Sequence, residues 1–273
     1  MSTTTRKNTH ASSLLWATVI NLMLVCTSAN ATILNAPTNG TFTMNLDRNA
    51  LAPYAGGYYL SSFWDNAASD HTTLTNSGDH FIGQLSTTEI SAVNRVFNLT
   101  AIGTDPTNQA NQRFVKATSA NFSIDSDTFS GVAGAKIGMT GLQGFYAPNW
   151  PPSGAGLVNG DFSVQFDIAR QDQGRTGWYL ANNIYFTMAV YDFSNLSIAF
   201  TDANNWRLSG DLLMSPENGG MLQGASLNNV GGFCLGAGSY AGCGHVSTVP
   251  IPAAAWLFIS GLIGFAGIAS RKR

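Results

Sequence analysis

Glutamate is nearly missing from this chain. Only Glu89 and Glu217 occur among 273 residues, so a glycosidase would need aspartates for its paired carboxyls, and no two aspartates stand out as such a pair. Cysteine is scarce too: Cys26, Cys234 and Cys243 are the whole supply, and with only His245 near the last two a zinc cluster lacks ligands. There is no Gly-x-Ser-x-Gly elbow, His-Glu-x-x-His pair, phosphate loop or dinucleotide fingerprint, so the usual sequence marks of hydrolases, zinc proteases and nucleotide binders are missing. Charge is sparse, at 10% of residues. Five of the thirteen basic residues (Arg6, Lys7, Arg271, Lys272 and Arg273) stand at the ends, which leaves eight against fifteen acidic ones in the body, a net charge of −7. Nucleic acid is excluded as a partner, because binding it needs a basic footprint.

The two ends are built differently from the middle. Arg6 and Lys7 precede a twelve-residue apolar stretch, Leu14 to Val25, and then Ala29-Asn30-Ala31. This order predicts a secretory signal peptide over 1–31, cleaved after Ala31. The apolar stretch is shorter than a membrane span. Cys26 is not expected to carry a lipid, because Val25 stands where a small residue would precede it.

At the other end Val249-Pro250-Ile251-Pro252 reads as an extended stem, since each proline fixes φ and lacks an N–H. Ala253 to Ala269 then carries no charge, and its seventeen residues would span roughly 25 Å as a helix, somewhat under a ~30 Å hydrocarbon core. Extension over 252–270 gives a candidate transmembrane helix. Arg271, Lys272 and Arg273 close it, and the positive-inside preference leaves the C-terminus in the cytoplasm and the body outside. This order of parts resembles the PEP-CTERM sorting signal of Gram-negative bacteria, with Ile251 in place of the family's usual Glu between the prolines. The resemblance covers the tail over 249–273 only and implies an address, not an activity. Its implied partners are an exosortase-type processing enzyme and, transiently, the inner membrane; its implied destination is the cell surface or the extracellular polysaccharide. An ordinary C-terminal anchor is the alternative.

In the body the hydrophobic pattern has period two. Phe162, Val164, Phe166 and Ile168 share one face of a predicted strand, and Ile184, Phe186, Met188 and Val190 share one face of another. Shorter versions occur at Phe42/Met44/Leu46, Phe122/Ile124, Ile198/Phe200 and Trp206/Leu208. Asn39-Gly40, Ser77-Gly78, Asn159-Gly160 and Asn218-Gly219-Gly220 read as turns. Only 87–96 reads as a short helix. The fold class expected is mainly β, an antiparallel β-sandwich or jelly-roll-like body. Asn39 to Leu60 also aligns without gaps on Asn159 to Leu180, at a constant offset of 120 residues, with Asp47/Asp167, Gly57/Gly177, Tyr59/Tyr179 and Leu60/Leu180 among the identities. Two similar β halves are expected, over 32–147 and 155–248, divided by a Pro-rich seam at 148–154.

Four sets of residues are candidates for chemistry. Cys234 and Cys243 enclose a small Gly-rich loop, where an oxidising compartment would make a disulfide; two free thiols or half of a metal site are the alternatives. Asp70, His71, Asp79 and His80 form the densest set of ionisable donors, open to metal or acid–base use. Asp125-Ser126-Asp127 and Asn159-Gly160-Asp161 could offer oxygens to Ca²⁺, although turn-forming residues account for them without a metal. The doublets Tyr58-Tyr59 and Trp178-Tyr179 put one ring on each face of a strand, so one of each pair could be an exposed platform for sugar or protein. The function these features point to is a non-enzymatic binding or structural protein, exported through a single-pass inner-membrane intermediate to the cell surface, with no cofactor. A carbohydrate-binding module and a secreted metal-dependent hydrolase using Asp70, His71, Asp79 and His80 are the alternatives.

Overall fold

A computed structural model describes residues 31–64, 76–106, 111–150 and 154–243. Ala29 of the expected signal, Asp70 and His71, and the tail from Val249 to Arg273 lie outside these residues. Among the described residues no helix is long and apolar enough to cross a membrane.

The described chain is mainly β. Its elements run β1 (Ile33–Asn35), β2 (Gly40–Leu46), α1 (Arg48–Leu51), β3 (Tyr59–Trp64), α2 (Gly78–Gly83), β4 (Arg95–Leu99), β5 (Ser123–Asp125), β6 (Lys136–Thr140) and β7 (Leu142–Ala147). They continue through β8 (Ala155–Gly160), β9 (Ser163–Phe166), β10 (Trp178–Ile184), β11 (Phe186–Asp202), β12 (Asn205–Met214), α3 (Pro216–Met221) and β13 (Asn229–Ala237). Eight strands close into an antiparallel barrel in the order β10-β11-β12-β13-β2-β4-β6-β9, where two packed sheets of a sandwich had been expected. Its closure joins strands from opposite ends of the body, Phe42 of β2 lying opposite Leu235 of β13. An eight-stranded barrel is narrow enough for side chains to fill it. Here Phe42, Phe193 and Phe233 stack in the core, with Phe193 and Phe233 centroids 4.0 Å apart, beside buried Met44, Val164, Trp206 and Leu208.

A second sheet, β3-β7-β8, grows out of the barrel. The hairpin that pairs β6 with β9 continues as β7 paired with β8, and at the corner three residues (139–141) face two (161–162). Such a mismatch bends strands sharply. Gly160 is required at this bend, because a Cβ there would collide with the Gly141 carbonyl oxygen. Asp161 is fully buried at the same corner, and the fully buried Arg113 binds it through both carboxylate oxygens, at 2.6 and 2.7 Å. Arg113 arrives on a segment that lies along the end of β10, where the Phe114 N–H donates to the Asn183 carbonyl. The inner face of the second sheet, through Leu60 and Phe145, shares the barrel's core. Trp64, Leu142 and Val158 form a second cluster with Phe81 of α2.

Several expectations change at this level. The run from Ile184 to Val190 is not one strand: Tyr185, at φ 61°, reverses the chain so that Ile184 faces Phe186 across a tight hairpin, and Phe186 is half exposed. Ile168 leaves the buried face of its run because Asp167 ends the strand and caps a 3-10 turn, Ile168–Arg170. The segment over 87–96 is irregular and then enters β4; no helix forms. Ser77 and Ser215 cap α2 and α3, so Ser77-Gly78 and Asn218-Gly219-Gly220 belong to helices. Asn159-Gly160 ends β8. The Pro-rich stretch over 148–154 joins two strands that pair with each other, Ala147 opposite Ala155, and strands from both sides of it share one barrel.

The 120-residue echo has a structural counterpart. Asp47 accepts from the N–H groups of Asn49 and Ala50 as the cap of α1, and Asp167 accepts from Ala169 N–H as the cap of its own helical turn. The copies then diverge. β9 and β10 pair as a barrel hairpin, whereas β2 stays in the barrel and β3 pairs with β7 in the second sheet. The Cys234–Cys243 disulfide is present and ties β13 to the turn that follows it.

Candidate functional site

The four aromatic residues expected as ligand platforms separate into two kinds. Tyr58 and Trp178 are core residues: Tyr58 stacks on Phe145 at 4.4 Å, and Trp178 packs on Phe122 and Phe166 while its indole N–H donates to the Phe129 carbonyl at 2.6 Å. They are therefore not available to a ligand. Tyr59 and Tyr179 are half-buried on the surface.

Around each of these two tyrosines the fold assembles the same pair of side chains, an arginine and a glutamate. Arg48, the first residue of α1, places its guanidinium 5.2 Å from the Tyr59 ring centre and bonds Glu89 at 2.8 Å. Arg170, the last residue of the second capped turn, places its guanidinium 4.9 Å from the Tyr179 ring centre and bonds Glu217 at 2.6 and 2.9 Å. The two glutamates of the chain are thus both used to hold an arginine over an echoed tyrosine. The sequence signals this partly, through the paired Asp47/Asp167 and Tyr59/Tyr179. It does not place the glutamates, which lie 41 and 47 positions from their arginines.

The Arg170 cluster is closed. Asp192 of β11, fully buried, takes the arginine through both oxygens at 2.6 and 2.9 Å, and Arg175 joins at 3.6 Å. Burial disfavours the Arg170 charge, but the bonds to Glu217 and Asp192 outweigh it and raise its pKa. The same hydrogen bonds hold the Glu217 carboxyl below the usual range, with burial opposing. A depressed carboxyl gives stability that is present above its unfolded pKa and lost as pH falls through the folded value. Glu217→Gln should therefore flatten the acid side of the stability profile, read as the urea midpoint from about pH 6 down to about pH 3. Its half exposure keeps the effect small. An acid limb identical to that of the native chain would show that this pairing contributes nothing to stability.

The Arg48 cluster is open. Beside it lies a cleft of about 370 Å³, floored by Leu46, Leu51 and Leu60, walled by Ile90 and Val93, and edged by Asp47, Arg48, Glu89 and Ser91. A second cleft, between β8, the β10–β11 hairpin and α3, holds only about 30 Å³, room for about two waters. Asn159 and Asn218 line it, and both have buried amide atoms without a protein partner.

The remaining candidates are spread apart. Asp79 and His80 are neighbours in α2, where Asp79 accepts from the Tyr185 hydroxyl at 3.0 Å and from Gln112 at 3.2 Å. Burial and that carboxylate push the Tyr185 phenol up to about 12. The His80 ring lies 3.1 Å from the Gln84 amide. Asp125 accepts from the N–H groups of Asp127 and Thr128, which lower its pKa, as a turn-forming aspartate does. Asp161 cannot serve Ca²⁺ while Arg113 holds both its oxygens. Among the described residues no three His, Cys, Asp or Glu side chains group around a metal position.

Comparison of the chain with protein-family models, with curated proteins and with solved structures finds no match.

Proposed function

We propose that the chain is an exported surface or matrix protein, sorted by a C-terminal signal of the PEP-CTERM type, whose barrel serves as a non-enzymatic binding scaffold. The observation that carries this reading is the Cys234–Cys243 disulfide, because structural disulfides persist outside the reducing cytosol. It sits in the body, independent of both ends, and agrees with the order of Arg6 to Ala31 and of Val249 to Arg273. Of the four residues expected as platforms, Tyr59 and Tyr179 remain at the surface and suit a scaffold that meets its ligand on the outside.

The test is the intact mass of the protein recovered outside producing cells. The expected product starts at Thr32, has lost the apolar tail and carries Cys234 and Cys243 oxidised. Recovery of the full-length chain from the cytosol, with both thiols free, would overturn the reading.

A further inference from the structure

The two Arg–Tyr–Glu clusters differ in what completes the arginine. In the second copy Asp192 and Glu217 take the guanidinium together, and the Arg170 side chain is 14% exposed. In the first copy no second carboxylate among the described residues binds the arginine: Arg48 is 39% exposed, bonds Glu89 through Nε and makes a 3.4 Å contact from Nη1 to the Tyr58 carbonyl. Arg48 Nη2 and Glu89 Oε2 take no part in these bonds, and the 370 Å³ cleft lies against both residues.

We propose that this cleft binds an uncharged pyranose unit of a polysaccharide, an assignment that rests on the binding-scaffold reading. The chemistry follows from the donors and acceptors present. A sugar hydroxyl both donates and accepts, so two neighbouring hydroxyls can give a proton to a carboxylate and take one from a guanidinium at the same time. Arg48 and Glu89, bonded at 2.8 Å, offer that donor and acceptor side by side. Two carboxylates, Asp47 and Glu89, stand against one guanidinium at the edge, and the body's charge is negative, so phosphate and uronate are repelled. A cation would have to displace Arg48 from Glu89, which it already holds at 2.8 Å. The apolar wall at Ile90 and Val93 matches the C–H face of a pyranose, and the volume lies within the range of small-ligand sites, roughly 300–1,000 Å³.

The test uses the full chain, purified in a detergent without a sugar headgroup, and calorimetric titration with cellotriose, mannotriose and the trimer of galacturonic acid. At least one neutral trimer is expected to bind about tenfold or more tightly than the acidic one. Glu89→Gln and Arg48→Met should each weaken that binding about tenfold while leaving the melting midpoint in place, because an exposed ion pair adds little stability. Val93→Trp, at an exposed rim position, should block the cleft with the ion pair intact. Failure of both neutral trimers to bind, tightest binding of the acidic trimer, or unchanged binding in all three variants would overturn the proposal. Retention on the producer's own exopolysaccharide, measured in parallel, separates the two readings. Retention that ignores all three substitutions removes this cleft alone, and no retention on any matrix polymer removes the scaffold reading with it.

Discussion

Arg113→Met is expected to cost about 3–5 kcal/mol, the loss typical when one partner of a buried ion pair is removed. Arg113 and Asp161 are both fully buried, and the guanidinium also lies 5.3 Å from the Phe81 ring centre, so no water replaces what is lost. The substitution leaves a carboxylate sealed at the corner where the β6–β9 hairpin turns into the second sheet. Its signature is in the pH dependence. Burial raises the Asp161 carboxyl above its ordinary value, while the Arg113 guanidinium and the Gly141 N–H pull it back down. Without the guanidinium the opposition to burial weakens, and the folded-state pKa rises further. A raised carboxyl contributes stability that is complete below the unfolded pKa of about 3.9 and lost as pH rises through the folded value. The variant's deficit should therefore be smallest near pH 4 and largest near pH 7, in urea midpoints compared with the native chain. The double change Arg113→Met with Asp161→Asn should recover part of the loss at pH 7, since the charge goes with its partner. A deficit that does not vary with pH would mean that lost packing, not the stranded charge, sets the cost.

Trp178→Ala should cost a similar amount, about 3–5 kcal/mol, for a different reason. The ring fills the space between Phe122 and Phe166, at 5.6 and 5.1 Å, and Gly131 lies so close that a Cβ there would collide with it. Removing it opens a cavity and leaves the Phe129 carbonyl without its 2.6 Å donor. Trp178→Phe should cost less, because most of the volume stays. Chemical denaturation of the three proteins checks this. Trp178→Ala with native stability would return Trp178 to the surface role that its place beside Tyr179 suggests in the sequence.

Much of the fold was legible because its causes are local. Alternation of apolar residues produced strands at β2, β5, β9 and β12, since successive side chains in a strand face opposite sides whatever the sheet does later. Two cysteines nine apart in a Gly-rich stretch found each other. The offset of 120 paired Asp47 with Asp167, and the structure makes each the cap of the turn after its strand, because a cap needs only its own next three residues. The misreadings came where a long-range contact overrode the local pattern. Ile184 to Val190 alternates like one strand, yet Tyr185 takes a left-handed conformation while the Gln112 carbonyl holds its N–H, a contact 73 positions away. Tyr58 and Trp178 could not be told from their neighbours Tyr59 and Tyr179. A doublet shows that its two rings point to opposite faces, and only the packed sheets show which face is the core.

The candidate site divides the same way. Tyr59, Asp47 and the scarcity of glutamate are legible in the sequence, but the pairing of Arg48 with Glu89 depends on a segment that crosses back beside α1 from 41 positions away.

By itself the sequence determined that this body is built from antiparallel strands, that Cys234 and Cys243 are placed to join, and that its ends differ in kind from its middle. Each of these depends on residues near one another in the chain. The tertiary structure alone decided that the strands close into a barrel, that Asp161 is spent on Arg113, and that one of two matched arginine clusters is sealed by Asp192 while the other is left open beside a cleft. Closure and burial depend on which distant segments meet, and chain-local patterns carry no record of those meetings.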